Sequence, residues 1–335
     1  MTPDPESRVS RRSASPHFRL PGLSRARPVH RVFGGLGILA TALLVTAASS
    51  EEGEPAEHVM VDVSDMRHLL GDEARLPMEV NARVERWIGR FLSEERASFE
   101  QFLVREGLYG GMVRQKLRSR GMPEQLLYLA MIESGFSPSA TSPVAAAGMW
   151  QFLGATARAY GLSVDGWVDE RRDPVRATDA ALDYLEELHA EFGSWYLAAA
   201  AYNAGPQRVA MAIRRLGAQE VAGQDAEALY WRIIEDLPRE TREYVPKILA
   251  AALLAEQAGH FGFDVEPDLP YLFDQVLVPG GTPLSRVATA LDASPSLLRE
   301  LNPHLIRGVT PPGRSFPVRI PLGESHRVMA ALPGR

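Results

Sequence analysis

Cysteine is missing from all 335 residues, so no disulfide can staple the fold and no thiolate or lipid-bearing Cys is available for chemistry or anchoring. Metal-ligand spacing is missing too. The eight His form no pair on one helical face, and no His-Glu-x-x-His run occurs. Gly110-Gly111 and Gly280-Gly281 lack the flanks of a phosphate loop, so neither metal nor cofactor is implied. Positive charge is in deficit: the formal net charge is −6, which argues against nucleic acid as a partner. Aromatic residues make up only 8% against 45% apolar, the balance of an ordinary globular protein rich in Ala and Leu. At 335 residues two domains are expected.

An uninterrupted apolar run of bilayer length is also lacking. Val32 to Ala47 is free of charge, but its sixteen residues fall short of the roughly 20 that span a membrane comfortably. Seven Arg against Asp4 and Glu6 give residues 1–47 a surplus of +5 and leave −11 for the rest. A basic start, an apolar stretch and small residues before the acidic Glu51-Glu52-Gly53-Glu54 describe an export signal. Residues 1–50 are therefore expected to be a signal peptide cleaved after Ala47 or, uncleaved, an N-terminal anchor giving membrane attachment without lipidation. Either outcome places the protein in the periplasm or cell envelope.

Residues 51–75 read as a linker, after which the 3.6-residue period dominates. Val84, Ile88, Phe91, Leu92, Phe99, Phe102 and Leu103 form one apolar stripe along a long segment broken once. Asp173-Pro174 supplies a cap and a first-turn Pro for a helix with stripe Ala181, Leu182, Leu185, Leu188 and Phe192, closed by Gly193. Ser194 caps the next helix, through Tyr202, and Gly205-Pro206 separates it from one holding Val209, Ile213 and Leu216; Ile248 to Leu254 carries the last. The region 76–262 is thus an all-helical domain. Residues 263–270 are a second linker. In 271–323 the texture changes to strand (Gln275 to Val278), two short helices (Leu284 to Leu291, Ser296 to Leu301) and strand (Val318 to Ile320), with 324–335 as a tail. The fold class is mainly α with a small C-terminal α+β module.

Within the helical domain, Glu133 closes the apolar run Leu126 to Ile132 and is followed by Ser134, Gly135 and Phe136. Pro123 opens that helix and Gly135, tolerant of a left-handed exit, ends it, so Glu133 falls in the last turn. There the helix end and the surrounding apolar side chains disfavour the ionised form and raise the pKa, and a carboxyl still protonated near neutrality is a general acid. A carboxylate turned to solvent at a helix end is the bland alternative.

Three further segments follow in order: Gly148-Met149-Trp150-Gln151-Phe152, Ala201-Tyr202-Asn203-Ala204-Gly205, and Glu240-Thr241-Arg242-Glu243-Tyr244-Val245. With Glu133-Ser134 they resemble the lytic transglycosylase family, whose catalytic domain is like goose-type lysozyme, over about Leu76 to Gly262. Leu301-Asn302-Pro303, Pro312-Gly313 and Ile320-Pro321 resemble a LysM repeat in part. Gly281 stands where an Asp is usual, and Pro283 adds a residue before Leu284. The module therefore either binds glycan or only packs and spaces.

The resemblance implies a murein enzyme acting on peptidoglycan strands, expected to be a monomer, that cuts the β-1,4 bond between N-acetylmuramic acid and N-acetylglucosamine. The muramoyl C6 hydroxyl would attack C1, giving a 1,6-anhydro end, so one carboxyl, Glu133, serves as acid and then base. It also implies that Ser134 lines the site, that Met149 and Gln151 contact sugar, that Tyr202 and Asn203 bind beside the cleavage point, and that the Tyr244 hydroxyl holds Glu133. Four of these have a structural alternative: a turn for Ser134, core packing for Met149 and Tyr244, a helix cap for Asn203; the Gln151 amide, which needs partners when buried, fits a cleft better. Two rival functions stay open. A hydrolytic lysozyme would need a water-activating carboxylate from Asp165, Asp169, Glu170 or Asp173, and a non-catalytic wall-binding scaffold would need only the LysM-like module.

Overall fold

The computed structural model describes residues 75–217 and 225–332 and, before them, only the backbone of two short paired antiparallel strands, β1 (Ala42–Val45) and β2 (Val59–Asp62). Apart from β1, the stretch expected to act as a signal or anchor lies outside the described residues. No helix among the described residues is long and apolar enough to cross a membrane.

The expected break in the first apolar stripe falls between α1 (Ala82–Leu92) and α2 (Arg96–Ser119). Asn81 caps α1 by accepting from the backbone N–H groups of Arg83 and Val84, satisfying donors that the first turn leaves open. Phe91 and Phe99, both fully buried, pack ring to ring at 4.7 Å across the break and make the two helices one unit. α3 (Leu127–Ser134) follows a 3-10 turn opened by Pro123. Its residues Leu127 to Met131 are buried all round, which a helix tolerates only when neighbours cover every face. α2 and the helix α9 (Arg239–Glu256) do this.

α4 (Gly154–Ala159) is short, and α5 (Pro174–Phe192) is capped by Asp173 and closed by Gly193, as its sequence predicts. α6 (Trp195–Ala204) is the axis of the domain, with Tyr196 to Ala201 all buried. Its alanines carry so little bulk that α5, α7 (Pro206–Leu216), α8 (Ala226–Ile233) and α9 approach it closely. Each large apolar side chain buried around them contributes about 1.5–3 kcal/mol. α9 runs through Pro246 without ending, because its flanking residues Tyr244 to Ile248 are held against α1, α3 and α6, apart from half-buried Lys247.

The C-terminal module has the expected strand, two helices and strand: β3 (Asp274–Val278), α10 (Leu284–Leu291), α11 (Pro295–Leu301) and β4 (Phe316–Ile320). β3 and β4 pair antiparallel with Val276 opposite Val318. The buried Asn302 explains the Leu-Asn-Pro run: its amide donates to the carbonyls of Leu298 and Arg319 and accepts from the Arg319 N–H, tying α11 to β4. The stretch expected to be a tail contains α12 (Ser325–Ala331), whose Val328, with Leu332, joins the core of the module. Seven residues, about two helical turns, are too few for periodicity to reveal.

The two parts are not beads on a string. Val168, from the loop before α5, is buried in the core of the module and bridges to Leu305, and the Asp169 N–H donates to the His304 carbonyl. Behind them the Arg319 guanidinium meets Asp173 in the dry interior.

Candidate active site

Glu133 stands in the last turn of α3, and Gly135 ends the helix with φ +58°. A side chain at Gly135 would meet the Phe102 ring at about 2.3 Å, so glycine is required twice over, by backbone and by space. The chain then keeps turning through left-handed residues that are not glycine: Phe136 (φ +58°), Ala145 (φ +61°) and Gln151 (φ +50°). Such conformations cost on the order of 1 kcal/mol or more each, and three of the four among the described residues fall between Glu133 and Phe152.

Burial pushes the Glu133 carboxyl up to about 7, the neighbouring charge of Glu240 pushes in the same direction, and the Tyr244 hydrogen bond and Lys247 oppose them. The Tyr244 hydroxyl, on α9, donates to Glu133 Oε1 at 2.6 Å. Glu133 itself is half-buried, not splayed into bulk water. Tyr244 and Tyr202 are held well above the ordinary phenol range, first by burial and then by Glu133, so both stay neutral donors.

The loop 138–152 wraps beside this carboxyl, and the predicted residues meet there unequally. Ser134 donates through Oγ to the Met149 carbonyl at 2.8 Å and accepts from the Ser137 N–H, pinning the loop to the end of α3. Tyr202 donates to the Trp150 carbonyl at 2.8 Å and pins it to α6. Gln151, half-buried, donates from its amide to Gly148 O at 2.8 Å. Asn203 does not cap α6, which ends at Gly205; its oxygen accepts from the Thr241 hydroxyl at 2.7 Å and its nitrogen donates to Glu240. The Met149 expectation needs correcting. Its side chain is 1% exposed and so offers no face to a sugar, because the loop turns it into the core beside Trp150 and Phe152; what it brings to the site is its carbonyl.

Sequence reasoning missed the residues that hold the loop. Arg171 donates to the carbonyls of Ala145 and Phe152, and Arg172 to the Ser139 carbonyl and the Thr141 hydroxyl, with Asp169 ion-paired to both. Gly148, at φ +81°, lies so close that an added Cβ would sit 1.7 Å from the Arg171 carbonyl oxygen. Glu240, Thr241 and Lys247 were likewise not assigned, although the i, i+4 and i+7 spacing of Glu240, Tyr244 and Lys247 on one face of α9, with Thr241 three residues before Tyr244, was a usable signal.

The four acidic residues set aside as water activators are engaged elsewhere. Asp165 accepts from the N–H groups of Trp167 and Val168, which holds its carboxyl below the usual range. Asp169 pairs with Arg171, Glu170 accepts from the Ser163 N–H, and Asp173 caps α5 and pairs with Arg319. Among the described residues no group of three or more His, Asp or Glu could hold a metal ion.

Comparison with known proteins adds the lineage. The transglycosylase SLT domain family matches residues 112–223, and the LysM-like domain of lytic transglycosylase MltD matches residues 272–334. Membrane-bound lytic murein transglycosylase D of Escherichia coli K12 is 34% identical over 59% of this chain and 42% of its own length. A putative tributyltin chloride resistance protein of an Alteromonas species is 39% identical over 30% of this chain and 49% of its own length. The match thus spans less than half the length of these curated relatives. The solved 70 kDa soluble lytic transglycosylase Slt70 of E. coli aligns with 44% of this chain and 24% of that chain, at 28% identity and a TM-score of 0.37. The chain thus carries a transglycosylase SLT domain around Glu133 and, behind it, a LysM-like domain of the kind found in lytic transglycosylase MltD.

Proposed function

We propose that this chain cuts the β-1,4 bond between N-acetylmuramic acid and N-acetylglucosamine in peptidoglycan without consuming water. Glu133 gives its proton to the bridging oxygen as the bond from C1 to that oxygen breaks. The muramoyl C6 hydroxyl oxygen then bonds to C1, and its proton returns to Glu133. The products are a free 4-hydroxyl on one fragment and a 1,6-anhydro end on the other. Internal attack has an effective molarity of roughly 10⁵ M or more, so no second carboxylate is needed to activate water.

One observation carries this reading: the Glu133 carboxyl is pushed up to about 7 and held by Tyr244, with the four acidic residues named for a hydrolase tied up elsewhere. Gln151 and Asn203 are the groups we assign to acetamido and hydroxyl recognition, with Tyr202 and Ser134 fixing the loop that presents them. The E. coli relative is described as membrane-bound, which supports placement in the cell envelope. Mass spectrometry of products from purified murein tests the reaction: ends lighter by one water than reducing ends are expected, and reducing ends alone would make the chain a hydrolase. A Glu133→Gln protein that still solubilises murein would remove Glu133 from its role.

A further inference from the structure

On the outer side of α1 and α9 lies a pocket of about 390 Å³ built by five arginines, Arg83, Arg86, Arg90, Arg239 and Arg242, around the indole of Trp87. Glu243 is the one acid in its lining. This is a local reversal of sign on a chain whose net charge is −6. Three of the guanidiniums are committed: Arg83 and Arg242 pair with Glu235, and Arg90 with Glu95 while lying 4.3 Å over the Trp87 ring. Two are not. Arg86 is 58% exposed and reaches Glu243 only at 4.0 Å, and among the described residues Arg239 has no ion pair. Two under-committed guanidiniums beside an aromatic face and fixed neighbours suit an anion carried on an organic chain, since planar guanidinium forks fit carboxylates.

The pocket also borders the candidate active site. Arg239, Arg242 and Glu243 share α9 with Glu240, Tyr244 and Lys247, and Arg239 is five residues from Tyr244, about 7.5 Å along the axis. Lys247, whose charge reaches Glu133, lies 4.7 Å over the same Trp87 ring. A stem peptide on the muramoyl residue, at about 3.3–3.6 Å per extended residue, covers that span within its first few residues.

Resting on the reading of this chain as a murein-cutting enzyme, we infer that the Trp87 pocket binds a carboxylate of the stem peptide, with Arg86 and Arg239 as the receiving groups. The enzyme then prefers strands that still bear peptides.

Binding is read on the Glu133→Gln protein, so cutting does not interfere, by fluorescence anisotropy of end-labelled soluble glycan strands with their peptides and of the same strands stripped by an amidase. The expected result is about tenfold tighter binding of the peptide-bearing strands. Adding Arg86→Gln and Arg239→Gln should bring the ratio near one, and Arg86→Lys with Arg239→Lys should keep part of it. Both positions are exposed, so the fold should survive, which a thermal melt checks. Equal affinity for the two strands, or a preference that outlasts the double glutamine change, overturns the inference. So does binding to phosphatidylglycerol vesicles that exceeds strand binding and is lost in the same variant. If the unmodified chain yields no anhydro product, the proposed reaction fails while this ratio can still be read.

Discussion

The Nη2 atom of Arg319, on β4 of the C-terminal module, stands 2.7 Å from both carboxylate oxygens of Asp173, the residue that caps α5 in the helical domain. Both side chains are about 5% exposed, so a charge pair has been taken out of water to join two modules. Tyr271, from the connecting segment, accepts from the same guanidinium at 3.1 Å. Asp173 belongs to the loop that also carries Arg171 and Arg172, the clamps on the 138–152 loop. The module thus leans on the segment that shapes the candidate active site.

Arg319→Met should cost about 3 kcal/mol in denaturant unfolding, because it strands a buried carboxylate. Pairing it with Asp173→Asn, which keeps an oxygen able to cap α5, should recover at least about 1 kcal/mol of that loss. Strictly additive single and double variants would mean that the pair is not coupled.

Glu133→Gln should lower murein solubilisation by roughly 10²–10⁴-fold. It should also stabilise the protein at alkaline pH. The folded carboxyl, at about 7, holds a proton that the unfolded chain releases near its ordinary value of 4.5. Stability of the unmodified protein therefore falls as pH rises from about 4.5 to about 7, and the Gln variant escapes that fall. The gain should be absent below pH 4.5 and full above pH 7, of the order of 1–3 kcal/mol, and melts at pH 4 and pH 8 check it. A gain largest in acid would contradict the assignment.

Tyr244→Phe should cut kcat by roughly tenfold or more through loss of orientation while moving the alkaline limb of the pH profile upward. The direction follows from the hydrogen bond, which stabilises the carboxylate and so holds the Glu133 pKa down; without it the acid stays protonated to higher pH. A limb that moves down on this substitution would show that Tyr244 does not act on Glu133 through this bond.

Gly148→Ala places a methyl group against the Arg171 carbonyl in a left-handed turn. It should cost roughly 2–4 kcal/mol and lower activity beyond what stability explains, because Gly148 O anchors the Gln151 amide. Unfolding curves and kcat/KM at a temperature where both proteins are folded separate the two effects. A variant as stable and active as the parent would show that the loop tolerates displacement.

Local chemistry was legible in the chain itself. Pro123 and Gly135 bracket the 3-10 turn and the helix whose last turn holds Glu133, Asp173-Pro174 and Gly193 bracket α5, Ser194 caps α6, and the strand, helix, helix, strand order of the module follows from its short apolar runs. These features depend on neighbours within a few residues, so periodicity and capping suffice to read them. Partnership across the fold was not legible. That Asp173 meets Arg319 rather than water, that Met149 turns inward, that Arg171 and Arg172 grip the loop and that five arginines gather round Trp87 depend on contacts between residues far apart in sequence. Which charge finds which, and which side chain loses its water, is decided only when the helices pack. The raised pKa of Glu133 belongs to both levels: its apolar neighbours are written in the chain, but the burial that gives them force is tertiary.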